Sequence, residues 1–241
     1  MRHSYTVIIP LHNEAECIGQ TLDELLPLLP AQVSVAVGLN GCSDTTRNEC
    51  AGRKVVIGET HLTGYGHGCL AAVEATSSNG LAPDAYLFYA GDGANRPEDL
   101  LRLIQVHESE GQPPFIMGLR EFQLGSWFSE FGRALPNLIL GALCRALGGQ
   151  FSHDLGPLRL IRRDLFERLE MQELTWGWTI EAQLRAAQLG IRIQSIPVEE
   201  RPRTGGTQKV SGVSLSRSLR IGAAIGAAAI RTAKRAPARD Q

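Results

Sequence analysis

The chain has 241 residues, of which 43% are hydrophobic and 20% charged, with a formal net charge of -1. Those proportions describe an ordinary globular protein able to bury a full core, as one large domain or two small ones. They exclude disordered and coiled-coil classes, and the near-neutral balance removes any global pull towards nucleic acid. The charge is uneven, however. Beyond Glu200 come Arg201, Arg203, Lys209, Arg217, Arg220, Arg231, Lys234, Arg235 and Arg239, against one acid, Asp240. That basic end implies an anionic partner, either phosphates or a membrane surface.

Cys17, Cys42, Cys50, Cys69 and Cys144 form no Cys-x-x-Cys and have no histidine at metal spacing, so they read as small buried hydrophobes of a reducing compartment. Met1-Arg2-His3-Ser4 leads straight into a strand without a signal peptide, and Ile221 to Ile230 falls far short of a bilayer span. The expectation is a cytoplasmic protein whose membrane contact, if any, is at its surface.

In chain order, Tyr5 to Ile9 is a β-branched run closed by Pro10, a buried first strand. Asn13 and Glu16 have capping-box spacing, and Ala15, Ile18, Leu22, Leu25, Leu26 and Leu29 recur at helical intervals. Val33 to Leu39 is the second strand, ending in the hydrogen-bonding turn Asn40-Gly41-Cys42-Ser43-Asp44-Thr45-Thr46. A third strand, Val55 to Ile57, precedes Gly64-Tyr65-Gly66-His67-Gly68 and a helix over Cys69 to Thr76. The glycines stand too far past their strand for a dinucleotide fingerprint, and a flexible loop near a sugar nucleotide fits them better.

The fourth strand, from Tyr86, breaks into Ala90-Gly91-Asp92-Gly93-Ala94-Asn95, and Pro97, Glu98 and Asp99 suit the start of a helix. An acidic turn after a buried strand is where open α/β sheets place ligand chemistry, although Asp92 and Asn95 also suit plain turn and capping roles. Pro114 to Gly118 is a fifth strand. Trp127 to Leu147 is an apolar helical stretch kinked at Pro136, whose Trp127, Phe128 and Phe131 suit either core or a face on lipid headgroups. His153 reads as a turn residue, and Asp154-Leu155-Gly156-Pro157-Leu158-Arg159 places a carboxylate and an arginine where burial demands a polar ligand or ion pairs. Trp178-Thr179-Ile180-Glu181 opens a helix ended by Gly190, and Ile191 to Val198 is the closing strand. Arg201 to Lys209 joins glycines with cations, a composition suited to clamping a diphosphate. Alternation of strand and helix throughout gives a mostly parallel sheet covered on both faces.

Together these blocks resemble the inverting glycosyltransferases of family two with the GT-A fold, and most of all the dolichyl- or polyprenyl-phosphate sugar synthases. The resemblance runs from Val7 to about Gly212 and rests on the following stretches. They are Val7 to Glu14, Gly41 to Thr46, Gly64 to Gly68, Arg133 and Asn137 with Asp154 to Arg159, Trp178 to Glu181, and Arg201 to Lys209. It implies an α/β chain with the GT-A (nucleotide-diphospho-sugar transferase) fold, a mostly parallel central sheet with helices on both faces. One domain would span 1–205, followed by a basic segment, 206–241, of loop plus short helix.

The function implied is sugar transfer from a nucleotide-diphosphate sugar to an acceptor, a lipid phosphate in the branch resembled, by a hexosyltransferase at the inner face of a membrane. Pro10, His12, Asn13, Glu14, Asn40, Asp44, Gly66, Asp92 and Gly93 would bind the nucleotide sugar, and Asp92 would hold Mg²⁺ or Mn²⁺. Arg133, Arg201, Arg203 and Lys209 would bind phosphates, and Asp154, Glu181 and Arg159 would serve catalysis. Arg133 and Arg159 would meet an acceptor phosphate with Asp154 orienting them, whereas a hydroxyl acceptor would need Asp154 or Glu181 as base. Two positions depart from the family pattern. Leu39-Asn40 stands where an acidic pair reads the base, and Ala90 replaces the first acid of Asp-x-Asp, with Asn95 as partial compensation. Those departures keep open a nucleotide-sugar-binding protein without turnover.

Overall fold

A computed structural model describes residues 3–120, 139–150, 154–206 and 215–235, with side chains of the last stretch from Arg220 onward. The strands are β1 (Tyr5–Leu11), β2 (Val33–Asn40), β3 (Val56–Thr60), β4 (Ala85–Phe88), β5 (Phe115–Arg120), β6 (Arg159–Arg162) and β7 (Gln194–Val198). The helices are α1 (Ala15–Leu25), α2 (Thr46–Cys50), α3 (Tyr65–Ser78), α4 (Pro97–Ser109), α5 (described over 139–146), α6 (Arg163–Leu169), α7 (Trp178–Gln188) and α8 (Leu215–Lys234).

Among the described residues the strands form a seven-stranded sheet in the order β3-β2-β1-β4-β6-β5-β7. β1 pairs in parallel with β2 and β4, and β2 with β3. β6 runs antiparallel to both of its neighbours, and β7 returns parallel to β5. The sheet is therefore the mostly parallel one expected, interrupted by one reversed strand.

Alternation of side chains along β1 sends Val7 and Ile9 to one face, against Ile18 and Leu22 of α1 and Leu100 and Leu103 of α4. Ile8 faces the other layer, with Cys69 and Ala72 of α3, Phe166 of α6 and Trp178 of α7. A strand buried on both faces reads as an unbroken apolar run, which is why β1 was plain in the sequence. α3 lies almost on the backbone of β2. A Cβ at Gly38 would fall 1.8 Å from the carbonyl oxygen of Gly68.

The order of strands reverses between β1 and β4, and open α/β sheets bind ligands in the crevice at the carboxyl ends of strands beside such a switch. The turns after β1, β2 and β4 meet there. The C-terminal helix α8 has 20 residues, more than the short helix expected, and docks on α7, where a Cβ at Gly177 would lie 2.4 Å from that of Ala228. No helix among the described residues is long and apolar enough to cross a membrane. The face expected at Trp127, Phe128 and Phe131, the kink at Pro136 and the turn at His153 lie outside the described residues, as do Arg133, Asn137 and Lys209.

Candidate active site

The turns that follow β1 and β2 are stapled together. Asn13 sits at φ 54°, a left-handed conformation that asparagine tolerates better than most residues. Its Oδ1 accepts the backbone N–H of Ser43 at 2.7 Å and of Asp44 at 3.3 Å. Asp44 in return accepts the N–H of Ala15 at 3.2 Å and of Thr46 at 3.0 Å. The capping box between Asn13 and Glu16 does not form, because Glu14 occupies the cap of α1 and its side chain makes no cap hydrogen bond; the Ala15 N–H is met from the neighbouring loop by Asp44. The left-handed turn points the Asn13 amide across to the neighbouring loop instead.

Asn40 is buried, and its amide joins three segments. Nδ2 donates to the Leu11 carbonyl at 2.8 Å, Oδ1 accepts the Gly64 N–H at 3.0 Å, and the Asn40 carbonyl lies 2.7 Å from His12 Nδ1. An amide engaged in this way holds the crevice in shape, with both of its polar atoms turned to the protein's own backbone. Gly66 also differs from expectation. A Cβ there would fall 2.5 Å from Cε3 of Trp178, so this glycine permits close packing between α3 and α7. Pro10 lies within β1 opposite Gly38.

The turn after β4 is held from within and from above. Tyr89 donates its hydroxyl to the Asn95 carbonyl at 2.6 Å, and Asp92 Oδ1 accepts the Ala94 N–H at 3.1 Å. Gly93 has φ 75°, and a Cβ there would come within 2.6 Å of Thr204 Cγ2. Glycine is needed because residues 200–206 cross directly over the turn. That segment is pinned by backbone bonds from Arg201 to Ala94 at 2.9 Å and from Thr204 to Asp92 at 3.1 Å, and by a bridge between Asn95 and Glu200.

Its two arginines take different partners. Arg201 donates from Nε to the Gly93 carbonyl at 2.6 Å and pairs with Glu24. Arg203 donates from Nη1 to Asp92 Oδ2 at 3.1 Å and from Nη2 to Glu14. Burial works against the Arg203 charge, but Glu14 and Asp92 outweigh it and hold the guanidinium above its ordinary pKa. Burial, with Glu14 beside it, pushes the Cys17 thiol up to about 12, so it stays protonated. The structure thus brings Glu14, Asp92, Gly93, Arg201 and Arg203 together from three loops, those after β1, β4 and β7.

A divalent cation is the group implied here, and the donor set accommodates it in a limited way. Asp92 offers one carboxylate, Ala90 offers none, and Asn95 Oδ1 faces the Ala90 N–H at 3.4 Å. Among the described residues no group of three His, Cys, Asp or Glu could hold a metal. Asp92 fits as a single protein ligand of Mg²⁺ or Mn²⁺, which keep several waters and take oxygens from substrate phosphates.

Across the crevice, the charges are buried. Asp154 is clasped by Arg120 at the end of β5, from its backbone N–H at 3.1 Å and from Nε at 2.9 and 3.0 Å. Arg120 Nη1 also donates to Glu200 at 2.7 Å. Burial would raise the Asp154 carboxyl, but the Arg120 hydrogen bonds and charge overcome it and hold the pKa low. Among the described residues Asp154 thus holds Arg120, which the sequence reading missed; its signal was its place at the carboxyl end of a buried strand.

Arg159 donates Nε to the Gly156 carbonyl at 3.0 Å and Nη1 to the Thr179 carbonyl at 2.7 Å, which leaves Nη2 buried without a hydrogen-bond partner among the described residues. Its burial lowers the guanidinium to about 10. Glu181 is buried at the first turn of α7. It accepts the N–H groups of Gln172 and Glu173 and pairs with Arg235 of α8. Burial raises its pKa against those partners. It belongs to the anchorage of α8, together with the Arg231–Glu173 pair, and not to the crevice. These pairs show that part of the basic tail has its anions within the protein.

No family model matches the chain. Among curated proteins it is 30% identical over 212 residues to a protein of Mycobacterium tuberculosis (strain ATCC 25618 / H37Rv) called an uncharacterized glycosyltransferase, covering 86% of this chain and 89% of the relative. It is 27% identical over 221 residues to undecaprenyl-phosphate mannosyltransferase of Micrococcus luteus, covering 85% and 86%. Among solved structures it resembles glucosyl-3-phosphoglycerate synthase of Mycobacterium tuberculosis in complex with Mn²⁺, UDP and glucosyl-3-phosphoglycerate. There the TM-score is 0.70 at 17% identity, over 96% of this chain and 80% of that one. The crevice at the β1–β4 switch, the acidic turn beneath a basic segment and this similarity over nearly the whole chain agree: the protein belongs to the glycosyltransferases and has the GT-A fold.

Proposed function

We propose that the protein transfers a sugar, with inversion, from a nucleoside-diphosphate sugar to an acceptor that arrives already anionic, a polyprenyl (lipid) phosphate. The observation that carries this reading is that both candidate bases are withdrawn. Asp154 is clasped by Arg120 and Glu181 is tied to the loop before α7 and to α8. A phosphate monoester, with a second pKa near ~6, needs no base at neutral pH. The Arg159 Nη2 proton without a partner suits an acceptor oxygen, and the similarity to undecaprenyl-phosphate mannosyltransferase supports the same acceptor class.

In this mechanism an acceptor phosphate oxygen attacks the anomeric carbon, the bond to the nucleoside diphosphate breaks, and its electron pair leaves on the departing phosphate oxygen. Arg201 and Arg203 stand where that charge develops, which is the stabilisation the step needs most. A divalent cation bound with Asp92 would supply Lewis-acid stabilisation of the same charge. Asn13, Asp44 and Asn40 keep the crevice shaped, and Asp154 keeps Arg120 aimed at the acceptor side. A lipid acceptor brings the chain to the cytoplasmic face of a membrane, with Arg220 and Lys234 exposed on α8.

The test is transfer by purified protein from a panel of UDP- and GDP-sugars, with and without Mn²⁺ or Mg²⁺. The acceptors are a short polyprenyl phosphate and, because of the structural likeness above, 3-phosphoglycerate. Lipid-linked sugar formed only with metal supports the reading. Transfer to 3-phosphoglycerate alone moves the acceptor to a hydroxyl compound, and donor binding without any transfer makes the chain a binding protein.

A further inference from the structure

Arg203 holds two carboxylates at once. Nη1 reaches Asp92 Oδ2 at 3.1 Å and Nη2 reaches Glu14, while Nε donates to the Gly205 carbonyl of its own segment at 3.2 Å. Only an arginine has the planar fork for such a bridge, because a lysine is a single point of charge. Asp92 is also the carboxylate of this turn that fits a metal, Ala90 having none to add. The guanidinium therefore stands on the oxygen that a divalent cation would need.

The segment carrying Arg203 does not depend on that side chain for its position. Backbone bonds from Arg201 and Thr204, the bridge between Asn95 and Glu200, and the Arg201 side chain on Gly93 and Glu24 hold it in place. Gly205 and Gly206 follow directly, with the Gly205 backbone against the Glu16 carbonyl. The side chain can exchange partners while its backbone stays anchored.

We infer that Arg203 is a stand-in cation, competing with the divalent metal for Asp92 until a nucleoside diphosphate offers the guanidinium a replacement anion. This rests on the donor-site reading above and adds that metal and diphosphate bind interdependently. Without nucleotide the arginine offsets part of the negative charge of Asp92 and Glu14. The diphosphate draws it away, and Asp92 passes to the metal in the same exchange. Coupling of this kind is reciprocal, so metal must tighten diphosphate by the same factor.

The experiment is titration of Mn²⁺ into the full chain, followed by the electron paramagnetic resonance signal of unbound Mn²⁺, with no nucleotide, with UDP and with GDP. Wild type is compared with Arg203→Gln and Arg203→Lys, each checked for folding by thermal denaturation. The expected result is weak Mn²⁺ binding by wild type that UDP or GDP strengthens, and about tenfold tighter Mn²⁺ binding by Arg203→Gln without nucleotide. Arg203→Lys should fall between, since it keeps the charge but loses the bridge. Unchanged Mn²⁺ affinity in a folded Arg203→Gln, with nucleotide coupling intact, overturns the inference and leaves the donor site standing. Tighter Mn²⁺ binding by Arg203→Gln with no UDP or GDP binding in any form supports the competition for Asp92 while overturning the donor site.

Discussion

The two sides of the crevice use charge in opposite ways. On the donor side the ionic groups are partly open to water. The side chains of Glu14 and Arg203 are each 13% exposed, Asp92 23%, and Arg201 and Glu24 31%. On the acceptor side Asp154 and Arg159 are 2% exposed, and only the Arg120 end of the Asp154 clasp, at 24%, meets water. An ion pair in contact with water changes partners at small energetic penalty, whereas a buried one is locked because separating it strands a charge in low dielectric. The donor side is thus built to exchange ions, and the acceptor side to hold cations in fixed directions.

The largest expected effect comes from breaking the locked side. Arg120→Ala leaves the buried Asp154 carboxylate without its clasp and should lower unfolding stability by about 3–5 kcal/mol in urea denaturation. A loss below about 1 kcal/mol would mean that the pair behaves like a surface one and that the contrast between the sides is wrong.

On the open side the loss should fall on activity. Asp92→Asn is expected to reduce transfer about a hundredfold in kcat, the scale of removing one preorganised stabilising group. Its stability should shift by no more than about 1 kcal/mol. Equal damage to folding and turnover would place Asp92 with the structural turn residues.

Arg235→Ala separates anchorage from catalysis. It removes one partner of Glu181 and should destabilise by about 1–3 kcal/mol while transfer per folded molecule is retained. Glu181→Gln should likewise keep its turnover. Abolished transfer in a folded Glu181→Gln would return that residue to the catalytic set.

The smallest effect lies at the end of β1 opposite the crevice, where α4 packs on Tyr5. His107 is buried, with Nδ1 3.1 Å from the Tyr5 hydroxyl, and burial lowers its pKa. The unfolded chain therefore binds a proton more readily than the folded one. The stability this contributes is complete above the unfolded value of about 6.5 and is lost as pH falls through the lower folded value. Melting temperature should rise with pH across that window, and His107→Gln should flatten the slope.

The residues that proved legible were those whose meaning is local. The apolar run of β1, the acidic turn at Asp92, Pro97 opening α4 and Gly190 after α7 each state their role within a few neighbours. Asn13 and Asn40 were misread because their side chains serve segments 24 to 30 residues away, across the sheet. The Gly64–Gly68 cluster looked like a ligand loop, yet Gly66 answers to Trp178, more than a hundred residues on. Arg120 passed unnoticed as an ordinary strand end until Asp154 appeared beside it.

What the sequence determined by itself was the order and type of most elements, though not α2, α6 or the reversal of β6, along with the mostly parallel sheet, the family resemblance and the stretches that reach the crevice. These follow from periodicity, turn chemistry and motif order, all written along one chain. Only the tertiary structure decided which arginine meets which carboxylate. Arg203 went to Glu14 and Asp92, Arg120 to Asp154, and Arg235 to Glu181. Ion pairing depends on distance and desolvation between segments far apart in sequence, and both are set only once the sheet has closed on its helices.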